Sequence, residues 1–179
     1  MNAHSASRTY PPVLAAAGAV LRFLIPVNLV LGTLIFALLI GSFAAEGSVM
    51  TALGAPPDGP NSWLIPGMRL LMVIGVCSTP LAHVVFTRLL AIVRSVRAAN
   101  PFLAENAARL QTIAWALLGL ELLHLAAGSI AWTASSEGSP LDIDWNFSVT
   151  SWLAVLLLFV LARVFEHGAQ MHADLEGTV

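Results

Sequence analysis

The chain has 179 residues, 58% of them hydrophobic and only 10% charged, with eight arginines, no lysine and a formal net charge of −2. Soluble domains carry about 25% charged residues, so this chain lacks the polar side chains to cover a water-facing surface, and its implied solvent is lipid. No basic cluster reaches the density needed to track phosphates, which argues against direct nucleic-acid binding. The single Cys77 excludes an internal disulfide and a thiolate zinc site.

Residues 1–12 (MNAHSASRTYPP) are small and polar and end in two prolines, the composition of a disordered N-terminus. Residues 13–179 are expected to form a single membrane domain. The first apolar run begins at Val13 and exceeds the roughly 20 residues that cross a bilayer. Arg22 interrupts it, so the membrane core is expected at 23–43, with 13–22 as an interfacial extension. Pro26 then falls in the first membrane turn, where its missing N–H matters least. SFAA at 42–45 faintly resembles a signal-peptide cleavage site, but the apolar core is longer than a signal peptide needs, and a retained anchor is expected. Residues 46–62 are rich in Gly and Pro and read as a loop.

The second span is expected over 63–93, kinked at Pro80, with Ser78 and Thr79 placed to satisfy the backbone groups that proline frees. Arg88, Arg94 and Arg97 mark its exit from the membrane. Asn100 is a good N-cap and Pro101 suits the first helical position. Glu105 complements the dipole of the third helix, whose span is expected over 112–132. An acidic loop, 133–146, leads to a fourth span at 147–162 and a helical tail at 163–179. Cys77 is expected to be a small buried residue, and Gly119 and Gly128 to permit close helix packing.

The arginines, Arg69 apart, cluster at the N-terminus, the 2–3 connection and the C-terminal exit, whereas the other two loops hold acids and no base. The positive-inside rule therefore puts both termini in the cytoplasm. Trp63, Trp132, Trp145 and Trp152 are expected to form an aromatic belt at the opposite interface. The fold class expected is all-α: an integral membrane four-helix bundle, up-down-up-down.

Glu121 and His124 stand at i and i+3 in the third span, hence on one face. Glu121 is about 18 Å along the helix from Arg109, at a depth similar to that of His83 on the second span. An unpaired charge there costs about 3 kcal/mol or more, so Glu121 is expected to be neutralised or to face a partner. His83, His124, Asn28 and the Ser78–Thr79 pair are the candidates. Three readings stay open: a polar cluster that fixes helix packing, a proton- or ligand-responsive site, and a metal or haem site. One Glu-x-x-His motif is half of what a carboxylate-bridged metal bundle needs, and haem would require His83 and His124 on facing helices. With no Gly-rich phosphate loop, nucleophile elbow or HExxH, the chain is not expected to be an enzyme or to require a cofactor.

Two stretches carry a resemblance. The first is Asn100-Pro101-Phe102, Glu105-Asn106 and Arg109-Leu110. The second is Val164-Phe165, Gly168 and the closing DLEGTV at 174–179. With four spans, they resemble the bacterial membrane-protein family known as domain of unknown function 2975, with Ala99 where many relatives have glycine. The resemblance implies a bacterial inner-membrane location and no assigned activity. Members are often encoded beside small helix-turn-helix repressor-like proteins. By that analogy the chain is expected to be a non-enzymatic membrane sensor or regulatory partner of such a protein. Asn100, Pro101, Phe102, Glu105, Asn106, Arg109, Asp174 and Glu176 would form its cytoplasmic interaction face, with Glu166, Asp174 and Glu176 close to the arginines of the second helix. A small carrier using Glu121, His124, His83 and Asn28 is the alternative, and it would require a homo-oligomer to line a path.

Overall fold

Four long helices account for the described chain. A computed structural model describes residues 12–45, 47, 64–98, 104–135 and 148–176. Helix α1 is Pro12–Ala44, α2 is Leu64–Arg97, α3 is Ala104–Ser135 and α4 is Val149–Glu176. Each is long and apolar enough to cross a membrane, and the all-α class follows. Chain neighbours pack on one another, α1 on α2, α2 on α3 and α3 on α4, and among the described residues no other pair of helices packs extensively.

Small side chains set these contacts. In lipid, tails solvate leucine as well as protein does, so helices associate through close approach rather than through a hydrophobic drive. The buried residues accordingly include Ala107, Ala114, Ala116, Ala131 and Ala162, around a centre built on Val85 and Ile113. Large apolar residues such as Phe23, Val30, Leu156 and Leu157 are exposed and would face lipid tails. Cys77 is exposed too, not buried as its size suggests. It lies two residues, more than half a helical turn, from Thr79, the residue that faces α1.

The contacts fix the register of each pair. Gly18 lies against Val93 and Gly32 against Thr79, while Ser42 bonds Arg69. The intervals are fourteen and ten residues on both helices, so α1 and α2 run antiparallel without slippage. Between α2 and α3, Ser95 meets Asn106 and Leu81 meets Gly119. Between α3 and α4, Trp115 meets Phe159 edge-on at 5.2 Å.

These registers bring arginines from separate helices to one height. Arg22 of α1 comes level with Leu89, beside Arg88. Arg163 of α4 comes level with Gln111 of α3 and through it with Leu90. The opposite limit is Arg69. Twenty residues of α2 separate it from Leu89, about 30 Å at 1.5 Å per residue, which is the thickness of a bilayer's hydrocarbon core. Exposed Trp132 falls within about a residue of Arg69's height. Trp152 does not join it. It is half-buried and comes level with Leu122, near mid-slab. Trp63 and Trp145 lie outside the described residues.

Both helix-interior prolines are accommodated. Pro26 frees the carbonyl of Arg22, which is at the arginine level, within reach of headgroups and water. Pro80 lies mid-slab, and the hydroxyls beside it do not take the carbonyl it frees, that of Val76. Ser78 Oγ donates to the Ile74 carbonyl at 2.8 Å and Thr79 Oγ1 to that of Gly75 at 3.1 Å. Each satisfies its own hydroxyl by bonding back one turn. A donor from another helix reaches the residue before the proline, as Asn28 Nδ2 of α1 donates to the Thr79 carbonyl at 3.0 Å.

Arg69 closes the other end of α1. Its Nη2 donates to the Ser42 carbonyl at 2.6 Å, its Nε to Ser42 Oγ at 3.2 Å, and its guanidinium lies 4.1 Å from the centre of the Phe43 ring. The last carbonyls of a helix have no intrahelical partner and carry the negative end of its dipole, so a cation here caps α1. Arg69→Leu is expected to cost about 1.5–3 kcal/mol, the range for charge-assisted hydrogen bonds, read as a lowered unfolding midpoint in detergent. Arg69→Lys should recover only part of it, because an ammonium cannot reproduce the fork that holds two Ser42 atoms.

Candidate functional site

Two groups of residues merit attention: the polar side chains within the slab, and the corner where α2 ends and α3 begins.

The four candidate residues Asn28, His83, Glu121 and His124 are spread over α1, α2 and α3. Asn28 and His83 go together. The α1–α2 register puts them at one height, and His83 lies one turn beyond Thr79 on the side of α2 that faces α1. The Nδ1 atom of His83 is buried with no hydrogen-bond partner among the described residues, an arrangement that costs about 1–3 kcal/mol. Glu121 and His124 lie on α3. Glu121 comes level with Pro80, about 4.5 Å in height from His83, so the two share a depth as the sequence implies. Direction separates them. Leu81 and Gly119 touch where α2 meets α3, and His83 and Glu121 each stand two residues further on, about 200° round their helices. Both therefore point away from that contact. Glu121 is half-buried, with no hydrogen bond or ion pair among the described residues, and His124 is exposed.

This arrangement bears on metal and haem. Among the described residues no group of three or more His, Cys, Asp or Glu side chains is placed to hold a metal ion. His83 comes level with Leu118 and His124 with Cys77, an offset of about 9 Å along the helices, and His124 points away from the α2 contact. The two histidines do not flank a common axial position.

The end of α2 and the start of α3 share a hydrogen-bond network. Asn106 is 1% exposed and holds the end of α2 to the start of α3. Ser95 Oγ donates to the Ile92 carbonyl at 2.8 Å and accepts from Asn106 Nδ2 at 2.8 Å. Asn106 Oδ1 accepts from Arg109 Nη1 at 2.8 Å, and Arg109 Nη2 pairs with Glu105 at 2.6 Å. Every polar group of a buried network needs such a partner. Arg94 and Arg97 in the last turn of α2 and Glu105 in the first turn of α3 each match the dipole of their own helix. Of the expected interaction face, Glu105, Asn106 and Arg109 thus come together. Asn100, Pro101 and Phe102 lie outside the described residues, as do the side chains of Asp174 and Glu176 in the last turn of α4.

Glu166 departs from expectation. It pairs with Arg163 of its own helix at 2.8 Å rather than with the arginines of α2, because α4 packs on α3. Between those two helices lies a cavity of ≈ 540 Å³, reaching from Trp115 and Phe159 to Ala104 and Gln170. Neither Ser95 nor this cavity is marked in the sequence. The i,i+3 spacing of Arg163 and Glu166 was the one available signal, and it does not identify the helix opposite.

A family model described as "Protein of unknown function (DUF2975)" matches residues 45–179. The chain belongs to this family. The matched region holds α2, α3 and α4 of this DUF2975 protein, with both stretches that carry the resemblance, and begins just past the end of α1. Asn28 and Gly32 thus lie outside it, while their partner Thr79 lies inside. No curated protein and no solved structure matches the chain.

Proposed function

We propose that this membrane protein is a non-enzymatic regulatory partner of a cytoplasmic helix-turn-helix protein, held in the bacterial inner membrane with both termini inside. One observation carries the reading: among the described residues, helices project from the slab on one side only. Beyond the arginine level α2 continues eight residues to Arg97, about 12 Å, and α4 thirteen residues to Glu176, about 20 Å. The start of α3 rises with them. At the Arg69 end, α1 stops within two residues of Ser42 and α2 begins five residues before Arg69. The projecting part is a folded platform whose corner is locked by Asn106. Arg88 and Arg94 are exposed on its side and have no ion pair among the described residues, and excess arginine marks the cytoplasmic face.

In this reading a change at Glu121 reaches the platform through uninterrupted α3, since Glu121 and Arg109 are about 18 Å apart on one rigid helix. The regulator comes from the family resemblance, the platform from geometry. The test is co-purification of the tagged full chain with the helix-turn-helix protein encoded beside it. Deletion of residues 164–179 is expected to abolish capture, and Glu121→Gln to change the fraction captured. No capture even at low salt, or capture indifferent to the deletion, would sink the proposal. An output unaltered by Glu121→Gln would remove Glu121 from it.

One feature favours a second reading. Glu121 sits mid-slab without a partner among the described residues, on the side of α3 away from its contact with Leu81. A carrier assembled from several copies would supply that partner, and proton-coupled uptake in proteoliposomes abolished by Glu121→Gln is its signature.

A further inference from the structure

The cavity between α3 and α4 straddles the arginine level, and its chemistry changes along its length. Trp115 and Phe159 form its inner end, about 6 Å inside the slab. Gln111 and Arg163 stand at the boundary. Glu166 comes one turn further out, level with Ala108, and Gln170 lies beyond it. The walls between are alanines, so the backbones leave room that larger side chains would fill. The volume of ≈ 540 Å³ falls within the range of about 300–1,000 Å³ typical of small-molecule sites.

We propose that this groove binds a phospholipid with a zwitterionic ethanolamine headgroup. The order of charges argues for it. Moving outward from the slab, α4 presents the cation Arg163 and then, about 4.5 Å further, the anion Glu166. A phosphatidylethanolamine entering from the bilayer presents its phosphate at the membrane boundary and its ammonium outside it. Arg163 therefore meets the phosphate and Glu166 the ammonium, while Gln111 and Gln170 supply further hydrogen bonds and the Trp115–Phe159 pair receives the start of the acyl chains. Arg163 and Glu166 now satisfy each other at 2.8 Å. That pair is largely exposed, and exposed pairs contribute little to stability, so it opens readily for a ligand of matching polarity. An anionic lipid such as phosphatidylglycerol offers Glu166 only neutral hydroxyls, whose hydrogen bonds are about half as strong as those of an ammonium, and a choline headgroup has no N–H to donate. The charge order is the same in either leaflet, so the inference is independent of the orientation and of the regulatory role proposed above.

The full chain is reconstituted in bilayers of equal parts phosphatidylethanolamine and phosphatidylglycerol, extracted gently, and its retained lipids are counted by native mass spectrometry. The expected result is retention of phosphatidylethanolamine over phosphatidylglycerol by about tenfold, the factor set by one charge-assisted hydrogen bond. Glu166→Gln should abolish the preference, Arg163→Gln should lower retention of both lipids, and phosphatidylcholine should not substitute. Ala108→Trp fills the groove from an exposed position and should remove the retained lipid while the unfolding midpoint stays unchanged. Equal retention of the two lipids, or a preference that survives Glu166→Gln, overturns the proposal. So does an Ala108→Trp chain that loses a second copy of itself instead of a lipid, since the groove is then a self-interface.

Discussion

Replacing Gly32 by alanine is expected to destabilise the protein by about 1–3 kcal/mol, the cost of overpacking a close contact. The sign makes the test informative. Alanine is favoured over glycine in a helix by about 1 kcal/mol, so local preference alone predicts a gain. The contact predicts a loss, because a Cβ at Gly32 would run into the side chain of Thr79. Thr79 cannot swing away cheaply. It is β-branched and stiff at χ1, its hydroxyl bonds the Gly75 carbonyl, and its own carbonyl is held by Asn28 one turn from Gly32. The helices must separate, and Asn28 then loses its acceptor. Gly41 is the control, since nothing lies within 4 Å of where its Cβ would be; Gly41→Ala should be neutral or stabilising. Thr79→Ala should recover part of the loss in Gly32→Ala, with a coupling of about 0.5–3 kcal/mol in a double-mutant cycle. Unfolding midpoints in detergent measure all four. A neutral Gly32→Ala would mean that α1 does not sit on α2 at this register.

Asn106→Leu is the second large effect, with an expected cost of about 2–3 kcal/mol. Leucine matches the volume, so the loss comes from polarity. It strands a guanidinium N–H of Arg109 and leaves the Ser95 hydroxyl with one partner fewer, and hydrogen bonds to charged groups contribute about 1.5–3 kcal/mol each. Ser95→Ala should cost less, because it removes a partner without burying an unmatched charge. Glu105→Gln should cost least, at most about 1 kcal/mol, since the Glu105 side chain is 72% exposed. This ranking of three neighbours, read from unfolding midpoints, separates a buried network centred on Asn106 from a surface ion pair centred on Arg109. Lost capture of a partner in Glu105→Gln, at unchanged stability, would instead point to a docking role for this corner.

The sequence alone determined much of this protein. Four long apolar runs are enough to specify four membrane helices, because a chain in lipid must satisfy its backbone internally. Arginines suggested where the spans end, since a cation stays near water. The Asn100–Leu110 and 164–179 stretches were sufficient to identify the family. What the sequence could not give was direction around each helix. In a soluble protein the apolar stripe marks the buried side. Here lipid is as apolar as the protein interior, so both sides of a span are written in the same residues. Cys77 was therefore expected inside and lies outside, Glu121 and His83 share a depth but not a face, and Glu166 meets Arg163 rather than the arginines of α2. Only the packing of α1 on α2, α2 on α3 and α3 on α4 decided which residues meet, and it did so through small residues such as Gly32 and Gly119, whose meaning depends on what stands opposite them.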